Sequence, residues 1–413
     1  MQIKNNRLLE SILSLSLLNA LNMALPLITL PYIIRVVGMA NYGAYSIVYS
    51  LIQYVLMISA YGFGFSVTKQ IAQNRNNSIY VTQILNSTIA ARLLLALIPA
   101  LFLFIIAWIV FSKTYAYMFL LGIGIIVGDA LNPVWLFQGM EKMRYMTIVN
   151  VVCKLVFTIL IFTCIRKQQD YIYITFLNSA GYVFAGIISL IIACRTFDLR
   201  LCIPPITNIW YQLKDGWYIF LSTVFMSFYR DSNVLILGLF TSDFLVGMYA
   251  GAEKIIKASQ SIASPISNAL YPHLAEAFRG EKQGGKVNRI YRIAIKMGFF
   301  LLIISCVIYF LAPPISALLL SIEDKKIIEL IRIMTPVILF GGLNYILGIV
   351  GLVNLGYQRS FFKYVMFSGI FSILFLLLTV NYWNVISASI SMCLSEILLF
   401  IMCFLKLKNN NNL

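Results

Sequence analysis

The sequence has little charge and almost no histidine. Charged residues make up 11% of the chain, and only 15 of its 413 residues are acidic. Because His273 is the single histidine, a histidine-rich metal centre or a catalytic triad would have to be built almost without imidazole. The glycines never form G-x-x-x-x-G-K-[ST], the loop that cradles nucleotide phosphates. We therefore expect no hydrolase, no ATP bound to this chain and no cofactor.

Apolar residues are abundant instead. They make up 61% of the chain, and the mean hydropathy is +0.88. No soluble domain could bury so much apolar surface. The seven cysteines are scattered, mostly within these apolar runs, and form no C-x-x-C pair, so they are read as small core residues. The composition predicts an integral membrane protein in contact with the lipid bilayer.

The basic residues fit this class. The net charge is +16, but Lys and Arg fall between the hydrophobic runs and not on one amphipathic face. That distribution is typical of membrane topology, so no nucleic-acid partner is expected.

The hydrophobic runs predict an all-α protein of about twelve transmembrane helices. A helix needs roughly 20 apolar residues to cross a bilayer, and the charges and the Gly, Asn and Pro breaks divide the chain into twelve such pieces. Approximate bounds are Ser11–Ile34, Tyr42–Ser66, Ala90–Phe111, Tyr115–Gly139, Tyr145–Ile165, Tyr171–Cys194, Gly216–Leu239, Leu245–Leu270, Met297–Leu320, Ile333–Val353, Tyr364–Val380 and Val385–Leu405.

The connecting segments predict the orientation. Nineteen Lys and Arg residues lie between spans on one side, against seven on the other. Cytoplasmic loops carry the basic excess, so both termini are expected in the cytoplasm. The strongest contribution comes from the basic segment 275–296.

A weak internal repeat predicts two halves. Residues 42–46 (YGAYS) are similar to residues 246–250 (VGMYA), about 204 positions later. We therefore expect two six-helix lobes, residues 1–200 and 201–413, related by an axis along the membrane normal.

Nine ionisable residues fall inside the predicted spans. Each costs at least about 2.5 kcal/mol at mid-bilayer, so such residues are normally paired or face a wet cavity. Two explanations account for these charges. Their spacing allows ion pairs within a helix, as for Glu253 and Lys257. Alternatively, they line a partly cationic, water-filled cavity. The nine are Arg92, Asp129, Lys154, Arg230, Asp231, Glu253, Lys254, Lys257 and Glu396.

Several motifs resemble one family, the O-antigen and capsule repeat-unit flippases (Wzx type), polysaccharide transporters of the multidrug/oligosaccharidyl-lipid/polysaccharide exporter superfamily. In the first half these are residues 30–38 (LPYIIRVVG), 61–66 (YGFGFS) and, most specifically, 133–143 (PVWLFQGMEKM). In the second half they are residues 246–249 (VGMY), 252–255 (AEKI) and 354–359 (NLGYQR), with Asp231 before them and Tyr271-Pro272 after residue 255.

This resemblance implies a V-shaped, MATE-like protein of the bacterial inner membrane that works by alternating access. Its cargo would be an oligosaccharide on undecaprenyl pyrophosphate, moved to the periplasmic leaflet, with a polysaccharide polymerase and a chain-length regulator as further partners. Since an ATP motif is missing, we expect ion coupling through Asp129, Glu253 and Asp231. The cations expected to bind the cargo are Lys254, Lys257, Arg230, Arg92, Lys154 and Arg35.

Two other functions stay open. A drug or cation antiporter of the same superfamily would share the spans but have a net acidic cavity. A membrane-embedded polymerase would carry a long external catalytic loop, and no predicted external segment exceeds about fifteen residues.

Overall fold

The computed structural model describes residues 21–263, 266–267, 274, 283–320 and 324–411. Within these ranges the chain is almost entirely helical and contains no strand. Contacts divide it into two compact units, Met1–Ser227 and Phe228–Leu413, called unit 1 and unit 2 below. The division falls inside one long helix, and the sequence-based boundary at residue 200 stays a prediction.

In the described part of unit 1, the local backbone conformation determines where helices end. The predicted span Tyr42–Ser66 is two helices, because Tyr61 and Gly62 both adopt positive φ angles, 46° and 79°, that end one helix before the next begins. The helices are α1 (Leu21–Val37), α2 (Met39–Ala60), α3 (Phe63–Gln73), α4 (Ser78–Ile106), α5 (Lys113–Leu131), α6 (Val134–Gly139), α7 (Met143–Cys164), α8 (Tyr171–Phe197) and α9 (Ile206–Phe240), the last of which continues into unit 2.

Helix α4 starts twelve residues before the predicted span at Ala90. Its first turn is capped by Asn77, whose side chain accepts a hydrogen bond of 3.0 Å from the backbone N–H of Tyr80. A capped, polar first turn extends a helix beyond its apolar stretch, which hydropathy alone does not detect.

Unit 2 contains long helices that are interrupted by π-helical segments. In its described part the helices after α9 are α10 (Asp243–Gln260), α11 (Gln283–Phe310), α12 (Ala312–Ile315), α13 (Lys325–Asn344), α14 (Gln358–Trp383) and α15 (Val385–Asn411). Ser316–Leu320 and Tyr345–Val353 are π-helical, as is Ala107–Phe111 in unit 1. Helix α13 packs against α10, α11 and α15 and is the most enclosed span of the unit.

The multi-pass helical class is confirmed. Nine helical stretches among the described residues are long and apolar enough to cross a membrane. Three other predicted spans coincide with helices α1, α9 and α10, which do not meet the same criterion. Helix α10 carries four charged residues in 18 positions. The count of twelve spans therefore stays a prediction. The first residues of the predicted span Ser11–Ile34 lie outside the described ranges, as do Tyr271, Pro272 and His273.

Glycines let α5 and α8 approach closely in unit 1. A Cβ atom added to Gly128 would collide with the backbone of Tyr182, and one added to Gly186 would collide with the carbonyl oxygen of Gly128. Small residues allow this close packing where two helices cross in a membrane. The contact matters for function, because it sets Tyr182 beside Asp129, the residue that follows Gly128.

Candidate functional site

The first polar cluster joins α4 and α5 inside unit 1. Arg92 donates from Nη1 to the backbone oxygen of Asp129 at 2.7 Å, and from Nη2 to the Asp129 carboxylate. The arginine side chain is only 7% exposed, whereas that of Asp129 is 33% exposed. The pair therefore buries its cation and leaves its carboxylate accessible.

Lys154 of α7 brings a second cation to this cluster. Its Nζ donates a hydrogen bond to Oδ1 of Asn22 on α1 and lies 5.7 Å from the ring centroid of Tyr182. Lys154 and Asp129 also interact electrostatically. Five helices, α1, α4, α5, α7 and α8, thus contribute to a site with two cations and one acid.

Tyrosines extend the cluster toward α2. Tyr182 is hydrogen-bonded to Tyr49. The ring of Tyr49 stacks on Tyr45 at a centroid separation of 5.8 Å. Asn178 donates a hydrogen bond of 3.1 Å to the Tyr45 hydroxyl. This row of rings and polar groups, Tyr45, Tyr49, Asn178 and Tyr182, offers both flat apolar faces and hydrogen bonds.

The second polar cluster lies in unit 2. Glu253 and Lys257, one turn apart on α10, form an ion pair at 3.2 Å. The hydroxyl of Tyr249 donates to Oε1 of Glu253 at 3.2 Å, and Asn233 of α9 donates to that hydroxyl at 2.8 Å. Here the acid is buried, with its side chain 9% exposed, and the lysine is 33% exposed.

The structure brings some predicted site residues together within each unit. Arg92, Asp129 and Lys154 meet in unit 1, and Glu253 pairs with Lys257 in unit 2. Lys254 is half-buried on α10, and Arg35 is exposed near the end of α1. Arg230 and Asp231 lie on α9, but their side chains are outside the described part of the chain.

Several uncharged residues of these clusters were not predicted from the sequence. Asn22, Tyr49 and Tyr182 complete the first cluster, and Asn233 and Tyr249 complete the second. Asparagine inside an apolar span is a signal in itself, because its amide must find a partner there. The tyrosines carried no usable signal, since interfacial belts are equally rich in them.

Within the described residues, no group of three or more His, Cys, Asp or Glu side chains is placed to hold a metal ion. The polar groups of both clusters are amides, hydroxyls and single charges. Such groups are suited to binding and releasing a charged solute or ion.

The fold is that of a membrane transporter. It matches the structure "Lipid II flippase MurJ, inward closed conformation" with a TM-score of 0.76 at 12% identity, covering 99% of this chain and 88% of that one. It also matches an inward-facing multidrug resistance MATE family transporter of the MOP superfamily, with a TM-score of 0.69 at 15% identity and 97% and 98% coverage. At these identities the likeness defines the fold alone.

The family is defined by sequence. Residues 8–278 match the polysaccharide biosynthesis protein family, and the chain belongs to it. It is also 27% identical over 411 residues to an Escherichia coli (strain K12) protein named "Putative O-antigen transporter", covering 97% of each chain. The family resemblance inferred from the motifs is thereby confirmed.

Proposed function

We propose that this protein is a flippase that moves an oligosaccharide on undecaprenyl pyrophosphate from the cytoplasmic to the periplasmic leaflet by alternating access. The observation that carries this proposal is the cationic excess of the buried polar clusters in a chain of this family. Arg92 and Lys154 face one acid, Asp129, and on α10 Lys254 and Lys257 stand beside Glu253. Cations held in a low-dielectric cleft attract a diphosphate.

The cluster in unit 1 also supports ion coupling. Asp129 is accessible and holds the buried guanidinium of Arg92. A proton or sodium ion that binds the carboxylate weakens this pair and frees an arginine for an anion. Ion binding at Asp129 thus favours cargo binding at Arg92, which is the differential interaction that coupling requires.

Loss of the gene tests the function directly. We expect lipid-linked oligosaccharide to accumulate on the cytoplasmic leaflet, and complementation by the intact chain to clear it. Accumulation of unpolymerised units on the periplasmic leaflet would identify a polymerase instead.

A drug antiporter is the second candidate, because the MATE fold is shared. The same deletion strain separates the two functions. A flippase predicts unchanged susceptibility to cationic drugs, whereas hypersensitivity with normal lipid-linked oligosaccharide would favour the antiporter.

The proposed orientation in the inner membrane places both termini in the cytoplasm. A reporter fused after Lys408 should be cytoplasmic, and one fused after Lys325 should be periplasmic. The reason is the charge asymmetry of the connecting segments. Both reporters on one side of the membrane would contradict the orientation.

The polymerase and the chain-length regulator are the proposed partners on the periplasmic side, where the flipped unit is consumed.

A further inference from the structure

A surface pocket of about 570 Å³ lies between three helices of unit 2. None of its residues belongs to the polar clusters of the candidate site. One wall is a single face of α13, because its residues follow the helical spacing i, i+3, i+4, i+7 and i+8. The opposite wall comes from Tyr309 near the end of α11 and Pro313 near the start of α12. The α13 wall consists of Lys325, Ile328, Glu329, Arg332 and Ile333.

Arg332 is held against the opposite wall of the pocket. Its guanidinium carbon lies 5.2 Å from the centroid of the Tyr309 ring, and its Nε donates a long hydrogen bond of 3.4 Å to the backbone oxygen of Tyr309. The ring and the carbonyl restrain the side chain, so the planar guanidinium is oriented before a ligand arrives. Its two Nη groups suit a bidentate contact with a phosphate.

The pocket carries both signs of charge. Lys325 and Glu329 are exposed and lie one turn apart on α13, and Arg332 is half-buried on the same face. A simple phosphate anion would be attracted by the two cations and repelled by the carboxylate. A phosphodiester that also carries an ammonium group would satisfy all three side chains, because its phosphate pairs with the cations and its ammonium group with Glu329.

The position of the pocket along α13 indicates where such a group would come from. Lys325 lies about 12 Å along the helix before Ile333, at which the predicted apolar span begins. The charged side chains therefore lie in the polar layer that borders the hydrocarbon core. The neighbouring segments expose apolar side chains, since Phe310 is 73% exposed and Leu318 is 70% exposed. In a membrane this apolar surface contacts acyl chains, so a lipid fits the pocket better than a soluble phosphate compound.

We propose that this pocket binds the headgroup of an ethanolamine phospholipid, with the phosphate on Arg332 and Lys325 and the ammonium group on Glu329. The simpler explanation is that Lys and Arg at the end of a span reach toward headgroups in general. That explanation predicts no choice between headgroups of equal charge, so headgroup selectivity distinguishes the two. The lipid is a component of the bilayer and not the cargo, and its binding does not depend on the flippase function.

The experiment measures lipid binding to the full-length, delipidated protein in detergent by native mass spectrometry. Phosphatidylethanolamine and phosphatidylcholine have the same net charge, but only the ethanolamine group has N–H donors for a carboxylate. For the natural chain we expect saturable binding of phosphatidylethanolamine, roughly tenfold tighter than that of phosphatidylcholine, which corresponds to one charge-assisted hydrogen bond. Equal affinities for the two lipids would overturn the proposal, and this comparison requires no variant.

Variants assign the selectivity to the pocket. Arg332→Gln should weaken phosphatidylethanolamine binding roughly tenfold, because a charged donor to the phosphate is lost, and Arg332→Lys should weaken it less. Glu329→Gln should remove the preference for ethanolamine over choline while a phospholipid still binds. Lys326→Gln changes an exposed cation next to the lining and is the matched control, which should bind as the natural chain does. Unchanged binding in Arg332→Gln, or an equal loss in Lys326→Gln, contradicts the assignment.

Inorganic phosphate distinguishes a lipid headgroup from a free anion. An excess of inorganic phosphate should not displace phosphatidylethanolamine from the natural chain, because the free anion uses neither Glu329 nor the apolar surface. Displacement of the lipid by millimolar inorganic phosphate would identify a site for free phosphate and would overturn the lipid assignment.

Discussion

The two units each hold an ion pair, but with opposite polarity. In unit 1 the pair bridges α4 and α5, its arginine is buried, and its carboxylate is accessible. In unit 2 the pair lies within α10, its carboxylate is buried, and its lysine is accessible. Unit 1 therefore presents a negative group to its surroundings and unit 2 presents a positive one.

This difference suggests that unit 1 binds the coupling ion and unit 2 binds the cargo. An accessible carboxylate suits a proton or a metal cation, whereas an accessible ammonium group suits a phosphate. Asp129 is then the stronger coupling candidate, and the lysines of α10 are the stronger cargo candidates. The buried member of each pair, Arg92 or Glu253, holds the accessible one in place.

The largest functional effect is expected at Lys254 on α10. Lys254→Ala should abolish complementation of the deletion strain, because a cation facing the diphosphate is lost. Lys254→Arg should restore complementation in part, since the charge is kept and the geometry changes. Transport is measured as clearance of lipid-linked oligosaccharide at matched membrane abundance. Lys326→Ala, at the exposed start of α13, is the control and should complement fully. Normal transport by Lys254→Ala would refute the cationic role of α10.

Arg92 should give the largest effect on stability. Arg92→Met leaves Asp129 without its partner and removes the hydrogen bond to the Asp129 carbonyl. We expect a loss of roughly 3 kcal/mol, the lower end for breaking a buried pair, since Asp129 keeps a third of its side-chain surface open. The melting temperature in detergent measures it.

A double-mutant cycle distinguishes the pair from other packing effects at Arg92. Adding Asp129→Leu to Arg92→Met should recover part of the loss, because the carboxylate that Arg92→Met leaves without its guanidinium is then removed. Strictly additive losses would show that the ion pair does not stabilise unit 1.

Hydropathy, the positions of the basic residues and local motifs made the helical class and the family predictable from the sequence. Apolar runs between basic segments define spans, and motifs such as residues 133–143 define the family. The pair of Glu253 and Lys257 followed from spacing alone, because residues four apart on a helix are neighbours. These features depend on local sequence, so no tertiary information was needed.

Contacts between helices were not predictable in this way. Arg92 and Asp129 are 37 residues apart, and only the packing of α4 on α5 makes them partners. The same holds for Asn344 and Glu396, which are separated by 52 residues. Glu396 was recognised as an intramembrane acid, but its partner Asn344 was not, because a neutral side chain gives no charge signal. The division inside α9 was likewise hidden, since the helix is continuous there.

Asp129 and Glu253 are expected to differ in their contribution to ion coupling. Asp129→Asn and Glu253→Gln should both reduce transport and flatten its dependence on the ion gradient. The effect should be several-fold larger for Asp129→Asn, because its carboxylate is the accessible one. Transport into vesicles with imposed proton or sodium gradients measures this dependence. Unchanged gradient dependence in both variants would assign the two acids a structural role.

The smallest effect is expected at Tyr249, which links Asn233 to Glu253 in unit 2. Tyr249→Phe removes only the hydroxyl, so Glu253 keeps its pair with Lys257. Asn233 loses an acceptor for its amide inside the protein. One lost hydrogen bond of this kind costs about 1 kcal/mol, so the melting temperature should fall slightly and transport should persist.

Tyr45→Phe in unit 1 is the matched change, because Asn178 donates to that hydroxyl in the same manner. If the polarity of the pairs matters, Tyr249→Phe should slow transport more than Tyr45→Phe, since only Tyr249 contacts the acid that holds Lys257. Equal transport rates in the two variants would show that the buried carboxylate of Glu253 needs no hydroxyl to hold the lysine in place.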